Sequence, residues 1–253
     1  MGDDLRGLLD EFEGISLEAL DERAALLRRV DSKYVVPRDT FAELLGRLRG
    51  DHRVLEIDGR RAFSYSTTYF DTRQLRCFVD HVEDRVPRFK ARSRLYENSG
   101  RCVFEVKLKR SEDETDKRQI DYDSAVRHRV TDSAMECVRS ALDDAGLAAP
   151  DSLEPTLTTS FDRLTFAARQ GSQRMTCDLG VTLRGPHGQA EMPEDLVLVE
   201  TKSERGDSPA DRELARLSIA PTSLSKYRVG MSLVGAARHF GRQPGAQLFR
   251  CGA

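Results

Sequence analysis

The chain has 253 residues, of which 39% are hydrophobic and 32% charged, with a formal net charge of −2. That length buries enough surface for one large β-domain or two small ones, and the near balance of charge excludes a globally basic nucleic-acid binder, so any polyanion site must be a local concentration of cations. No apolar run approaches the roughly 20 residues of a membrane span, and the acidic start at Asp3 and Asp4 lacks a secretion signal, so a cytoplasmic protein with no direct membrane span is expected.

In chain order, residues 3–13 and 17–24 carry helical spacing, with Ser16 as a cap, and form short covering helices. Residues 26–36 alternate as a strand that places Arg29, Asp31 and Lys33 on one face. Residues 39–49 are an amphipathic helix with Phe41, Leu44, Leu45 and Leu48 on its apolar stripe. Residues 53–57 and 61–71 are β-rich, with Asp58 and Gly59 as the hairpin turn between them, and a short helix is expected at 73–79.

Next come two strands, 85–96 and 101–109, joined by the turn Glu97 to Gly100. Alternation puts Arg88, Lys90, Arg92 and Arg94 on one face, and Val103, Glu105, Lys107 and Lys109 on one face of the partner strand. A solvated basic face and a surface built for a polyanion both fit one such hairpin. Residues 111–116 are an acidic loop, and a helix at 131–146 is capped at Thr131 or Asp132, with Ala134, Cys137, Val138, Ala141 and Leu142 inward.

Strands follow at 156–168, 173–184 and 195–202, with Gly171 turning the first pair. A helix at 208–218 precedes a last strand-like piece at 224–230, and the tail from Arg242 is loosely ordered. About eight antiparallel strands with peripheral helices and no βαβ rhythm predict an α+β fold built on a closed or nearly closed β-barrel. The expected organisation is covering helices at 1–24, one domain at 25–232 and a tail at 233–253.

The cationic pattern recurs. Arg29, Lys33, Arg163, Arg174, Lys202 and Lys226 also fall on strand faces, so turned inward these faces would make a basic lumen fit for a polyanion. Only seven of the 40 basic residues are lysine, and six of the seven lie in predicted strands, with Lys117 just beyond one. Compact ammonium groups and arginine forks are not interchangeable at phosphates. Glu105 and Glu200 each stand two residues before a lysine, as salt-bridge partners or as metal carboxylates, the latter favoured at Glu200 because phosphate chemistry commonly uses Mg²⁺ or Mn²⁺. The five cysteines and five histidines show no metal spacing.

Six segments in order, Arg29 to Tyr34, Ser66 to Thr72, Lys90 to Tyr96, Phe104 to Lys107, Glu200 to Lys202 and Ser225 to Tyr227, resemble the VTC domain, the polyphosphate polymerase domain of the triphosphate tunnel metalloenzyme (CYTH-like) superfamily. The resemblance implies an antiparallel eight-stranded tunnel barrel that binds ATP, another triphosphate or polyphosphate. By motif, Lys33, Arg92, Arg94, Lys107, Lys117, Arg163, Arg174 and Lys226 would hold phosphates, joined by Arg29, Lys90, Lys109 and Lys202 on the same faces. Glu200, with Glu105 as a second carboxylate, would bind Mn²⁺ or Mg²⁺, and Ser225 would assist beside Lys226. Phe161 departs from the family's usual tyrosine, and the membrane spans and regulatory domain of the eukaryotic polymerase are absent from this sequence.

Three activities fit: a metal-dependent polymerase moving the γ-phosphate of ATP onto polyphosphate, a triphosphatase or polyphosphatase with water as acceptor, and a non-catalytic polyphosphate or nucleotide-binding module. Nucleic-acid binding is not expected, because stacking aromatics are not interleaved with the cations. The sequence names no protein partner.

Overall fold

The computed structural model describes residues 3–23, 30–111 and 114–252. Period-two alternation dominates this sequence, and strands dominate the fold. The first elements are α1 (Asp3–Asp10), β1 (Gly14–Ile15), α2 (Leu17–Arg23), β2 (Val30–Pro37), α3 (Arg38–Leu48), β3 (His52–Leu55), β4 (Phe63–Asp71) and α4 (Arg76–Val82). Then come β5 (Arg88–Tyr96), β6 (Arg101–Lys109), β7 (Thr115–Asp121), α5 (Asp132–Asp143), β8 (Glu154–Ala168) and β9 (Arg174–Gly185). The last are β10 (Gly188–Glu191), β11 (Leu196–Ser203), α6 (Pro209–Arg216), α7 (Lys226–Leu233) and β12 (Arg250–Cys251). Among the described residues no helix is long and apolar enough to cross a membrane.

Backbone pairing joins these strands into one large sheet in the order β12-β10-β9-β8-β4-β5-β6-β7, with β11 paired to β9 and β2, and β3 paired to β8 and β1. The sheet is antiparallel apart from the short parallel pair β1 and β3. The α+β class with peripheral helices is as expected; the barrel of eight strands is corrected, because twelve strands pair among the described residues and the pairing does not close. The extra strands are pieces of two to four residues, too short to show a period in sequence.

The chain divides into two compact units. The first comprises Met1–Phe63, Asp162–Gly180 and Pro193–Ser223. Here α3 lays Phe41, Leu44, Leu45 and Leu48 onto one face of β2, β9 and β11, against Tyr34, Val36, Cys177, Val197 and Val199. The opposite face of these strands carries Lys33, Glu200 and Thr176 in one cross-strand row. Helix α6 is fixed by a capping box in which Ser208 and Asp211 satisfy each other's backbone N–H groups. Asp211 also accepts from Tyr34 Oη at 2.8 Å and from Thr201 Oγ1, and burial, followed by Asp211, pushes the Tyr34 phenol up to about 12.

The second unit comprises Ser64–Phe161, Val181–Met192 and Leu224–Ala253. Strands β5 and β6 form the expected hairpin, closed by a turn with Gly100 at φ 70°, a value glycine reaches without penalty. Phe104 of β6 packs its ring at a tilt against Phe70 and Tyr122, while Val103, Glu105, Lys107 and Lys109 share the opposite face. In α5 the Thr131 hydroxyl caps the Ala134 N–H; Met135 takes an inward place and Cys137 is only half-buried, which corrects the inward set.

Three further expectations are corrected. Residues 224–230 are not a strand: Ser225 caps α7, whose Tyr227 and Met231 recur at helical spacing and are buried. The turn at Asp58 and Gly59 forms, with φ of 50° and 71°, but only Ile57 and Arg60 bridge across it, and β3 pairs instead with β8. The tail is ordered: Arg250 and Cys251 pair with β10, and Ala246 and Phe249 are buried. The part of the first predicted strand at 26–29, including Arg29, lies outside the described residues, as do 112–113 of the acidic loop. Thr115 and Asp116 of that loop belong to β7.

Candidate functional site

The candidate residues divide between the two units, and each set is built by strand register. In the second unit, β4, β5, β6 and β7 align three rows. Tyr69, Arg92, Glu105 and Gln119 form one; Lys90, Lys107 and Lys117 the next; Arg88, Lys109 and Thr115 the third. Lys117 is thus a strand residue and Lys226 the first residue of α7, so six of the seven lysines do lie in strands, with the exception moved. Like charges directly opposite one another are destabilising, and the middle row sets three lysines side by side with no carboxylate at its positions.

Glu105 is 2% exposed and anchors the row above. Its Oε2 accepts from Arg92 Nε at 2.7 Å and lies 4.0 Å from Arg94 Nε, and its Oε1 lies 3.5 Å from Lys117 Nζ. Burial works to raise this carboxyl, but Arg92, then Arg94 and Lys117, outweigh it and hold the pKa down at about 2. Arg92 is itself desolvated, and Glu105 and Tyr69 more than offset this to push it further up. Both Glu105 oxygens are therefore committed to cations.

Arg94 also donates to Thr67 Oγ1 at 3.3 Å, with its guanidinium 5.5 Å from the Tyr65 ring centroid. Lys90 Nζ lies 3.3 Å from His81 Nε2. Lys226 Nζ stands 4.6 Å above the Phe161 ring, and Ser225 accepts from Arg228 N, so the predicted helper beside Lys226 is first a helix cap. Tyr227 donates to Asp71 Oδ2 at 2.6 Å. Asp71 also accepts the backbone N–H groups of Thr72, Cys77 and Phe78. This buried carboxylate, its pKa raised by desolvation, ties α7 to the start of α4.

In the first unit the register rows are Lys33, Glu200 and Thr176, then Asp31, Lys202 and Arg174. Lys202 Nζ contacts Glu200 Oε1 directly. Burial pushes Glu200 up, yet Lys202 and then Lys33 dominate and hold it well below the usual carboxylate range; Lys202 is lowered by burial, with Glu200 and Asp31 working against that. Arg163 forks onto Asp178 through Nε at 2.6 Å and Nη2 at 2.9 Å. Thr176 is buried, and among the described residues its hydroxyl has no hydrogen-bond partner.

Sequence reading missed four of these groups: Asp178, Thr176, Asp71 and Tyr65. The alternation in β9 places Asp178 and Thr176 on the face of Arg174, and was the one available signal for them. Asp71 and Tyr227 are 156 positions apart, which no local pattern reveals.

No group of three or more His, Cys, Asp or Glu side chains suited to a metal occurs among the described residues. Glu200 still fits a hard divalent ion. It is ionised, and among the described residues its Oε2 accepts no hydrogen bond, while Mg²⁺-type ions commonly take one or two carboxylates plus waters and phosphate oxygens.

A comparison with curated proteins gives no match. Among solved structures, HpAC1 from Hippeastrum, described as an adenylyl cyclase candidate with a dominant triphosphatase activity, superposes with a TM-score of 0.51 at 17% identity over 82% of this chain and 96% of that one. At that identity the likeness is one of fold. An adenylate cyclase candidate from Vibrio parahaemolyticus (TM-score 0.46, 17% identity, 81% and 98% covered) and a conserved hypothetical protein from Pyrococcus furiosus (0.36, 13%, 75% and 88%) superpose less well. The VTC domain model matches residues 28–234, most of the sequence, and the chain belongs to the VTC domain family.

Proposed function

We propose that this protein transfers the γ-phosphate of ATP onto a polyphosphate chain in a metal-dependent reaction. Membership of the VTC family supports a function in polyphosphate or triphosphate chemistry, and the triphosphatase activity described for the Hippeastrum protein supports an enzyme acting on phosphates. The observation that carries the reading is the row Lys90, Lys107 and Lys117, flanked by Arg92 and Arg94. Strands about 4.8 Å apart make these three lysines neighbours along one row, a local concentration of cations suited to a chain of phosphates.

In this reading the cations do the binding and orienting that phosphoryl transfer mainly requires. In the second unit Arg92, Arg94, Lys107 and Lys226 attend a phosphoryl group, with Lys90, Lys109, Lys117 and Ser225 at further phosphates. In the first unit Lys33, Arg163, Arg174 and Lys202 hold phosphates, and Arg29, outside the described residues, is proposed as a further phosphate contact. The bond from Pγ to the bridging oxygen of ADP breaks, and a bond forms from Pγ to a terminal oxygen of the polyphosphate. Glu200 would hold one Mn²⁺ or Mg²⁺ ion, which when bound supplies charge neutralisation at phosphate oxygens. Glu105 instead fixes Arg92 and Arg94. With a pKa of about 2 and both oxygens engaged, it is a weak base for activating water, which favours transfer over hydrolysis.

The test is incubation of the pure protein with ATP and Mn²⁺, resolving polymer on gels and assaying ADP and free phosphate, with Lys107→Ala and Glu105→Gln alongside. Polymer with matching ADP, lost in Lys107→Ala, supports the reading. Free phosphate abolished by Glu105→Gln would move the assignment to a hydrolase.

A further inference from the structure

Thr176 of β9 and Glu200 of β11 are direct register partners, with Lys33 of β2 on the far side of Glu200 in the same row. Met175 and Cys177 on either side of Thr176, and Val199 beside Glu200, lie in the apolar cluster packed under α3. Strand alternation therefore turns Thr176 and Glu200 together onto the opposite face. Thr176 is 3% exposed, and among the described residues its hydroxyl has no hydrogen-bond partner. Glu200 gives its Oε1 to Lys202, and among the described residues its Oε2 accepts no hydrogen bond. Directly opposed side chains have Cβ atoms about 4.5–5.5 Å apart, so one small ligand reaches both groups. Lys33, Thr176, Glu200 and Lys202 all belong to the first unit.

A buried hydroxyl without a partner is destabilising, and a side chain of the same shape that lacks it removes that cost. Waters on a divalent cation turn their O–H groups outward and need acceptors, and a threonine hydroxyl offers two lone pairs. We propose that Thr176 is a binding residue of the ion site at Glu200, its hydroxyl accepting from a water in the hydration shell of a Mg²⁺-type ion held by the Glu200 carboxylate. Such ions keep several waters and take one or two carboxylates, so the groups around those waters share in holding the ion. Lys202, which occupies Oε1, yields it to the ion and turns to a phosphate oxygen, opening the row that Thr176 faces. This inference rests on the proposed metal role of Glu200.

The experiment has two readouts in the full chain: the EPR signal of free Mn²⁺ during titration with protein, and urea unfolding without metal. The variants are Thr176→Val, Thr176→Ser, Glu200→Gln and, as a control, Thr159→Val, which removes a hydroxyl of the second unit that is likewise buried with no hydrogen-bond partner among the described residues. Thr176→Val is expected to bind Mn²⁺ about 10- to 100-fold more weakly, the scale for losing a group that orients a metal's ligands, while its metal-free unfolding midpoint rises. Thr176→Ser keeps the Mn²⁺ affinity and Glu200→Gln loses it. Thr159→Val raises the midpoint and leaves the affinity unchanged. Wild-type affinity in Thr176→Val, an equal loss in Thr159→Val, or a metal-free midpoint that falls in Thr176→Val overturns the role of Thr176 and leaves the proposed function standing. A wild type that does not diminish the free Mn²⁺ signal overturns the Glu200 site as well.

Discussion

Arg92 on β5 and Glu105 on β6 are direct cross-strand partners, joined by a 2.7 Å hydrogen bond from the guanidinium to a carboxylate that is 2% exposed. One buried anion thereby organises three cations, because Arg94 and Lys117 also lie within 4.0 Å of it. Removing it leaves desolvated positive charge without a counter-ion.

Glu105→Gln is therefore expected to lower stability by about 3 kcal/mol, the usual scale for breaking a buried pair from one side. Urea unfolding of the two proteins at neutral pH measures the difference.

The same carboxyl fixes a pH window. Its folded pKa of about 2 lies below the 4.5 of an unperturbed glutamate, so its contribution is fully present above pH 4.5 and is lost as pH falls towards 2. Unfolding free energy measured across that range should fall more steeply in wild type than in Glu105→Gln.

Asp71 has the opposite sign. Desolvation raises its pKa above 3.8, so its titration favours folding most below that value and the benefit is lost as pH rises through the folded pKa. The carboxylate still accepts four hydrogen bonds. An amide cannot accept at its nitrogen, and Asp71→Asn is expected to cost about 2 kcal/mol in thermal or urea unfolding, from a buried donor left unpaired.

Helix α7 gives a graded pair of variants. Ser225→Ala removes the cap, with an expected cost of about 1 kcal/mol. Gly230→Ala would place a Cβ 2.5 Å from Leu157 Cδ2, so overpacking costs about 1–3 kcal/mol. Unfolding curves that rank Ser225→Ala as the more damaging of the two would contradict this packing.

What was legible in the sequence follows from physical range. The hairpin at 88–109 could be read because alternation and its turn are local, and its register then put Lys90 opposite Lys107. Helix α3 was legible from its apolar stripe. Helix α7 was not: Tyr227 and Val229 favour strands, and what overrides them is the Ser225 cap and a Gly230 tight against Leu157 from β8. Phe161 could be noted as a departure from the family's tyrosine, but not as the surface under Lys226, because β8 and α7 meet only in the folded chain.

The measurement that tests the account most directly is ³¹P NMR of the protein with ATP and Mg²⁺ over time. The account predicts growth of bridging-phosphate signal beyond that of ATP, equal in phosphate to the ADP released, and a rate reduced by about 100-fold in Lys107→Ala, the scale of losing one transition-state charge contact. Inorganic phosphate rising with ADP and no new bridging signal would contradict it.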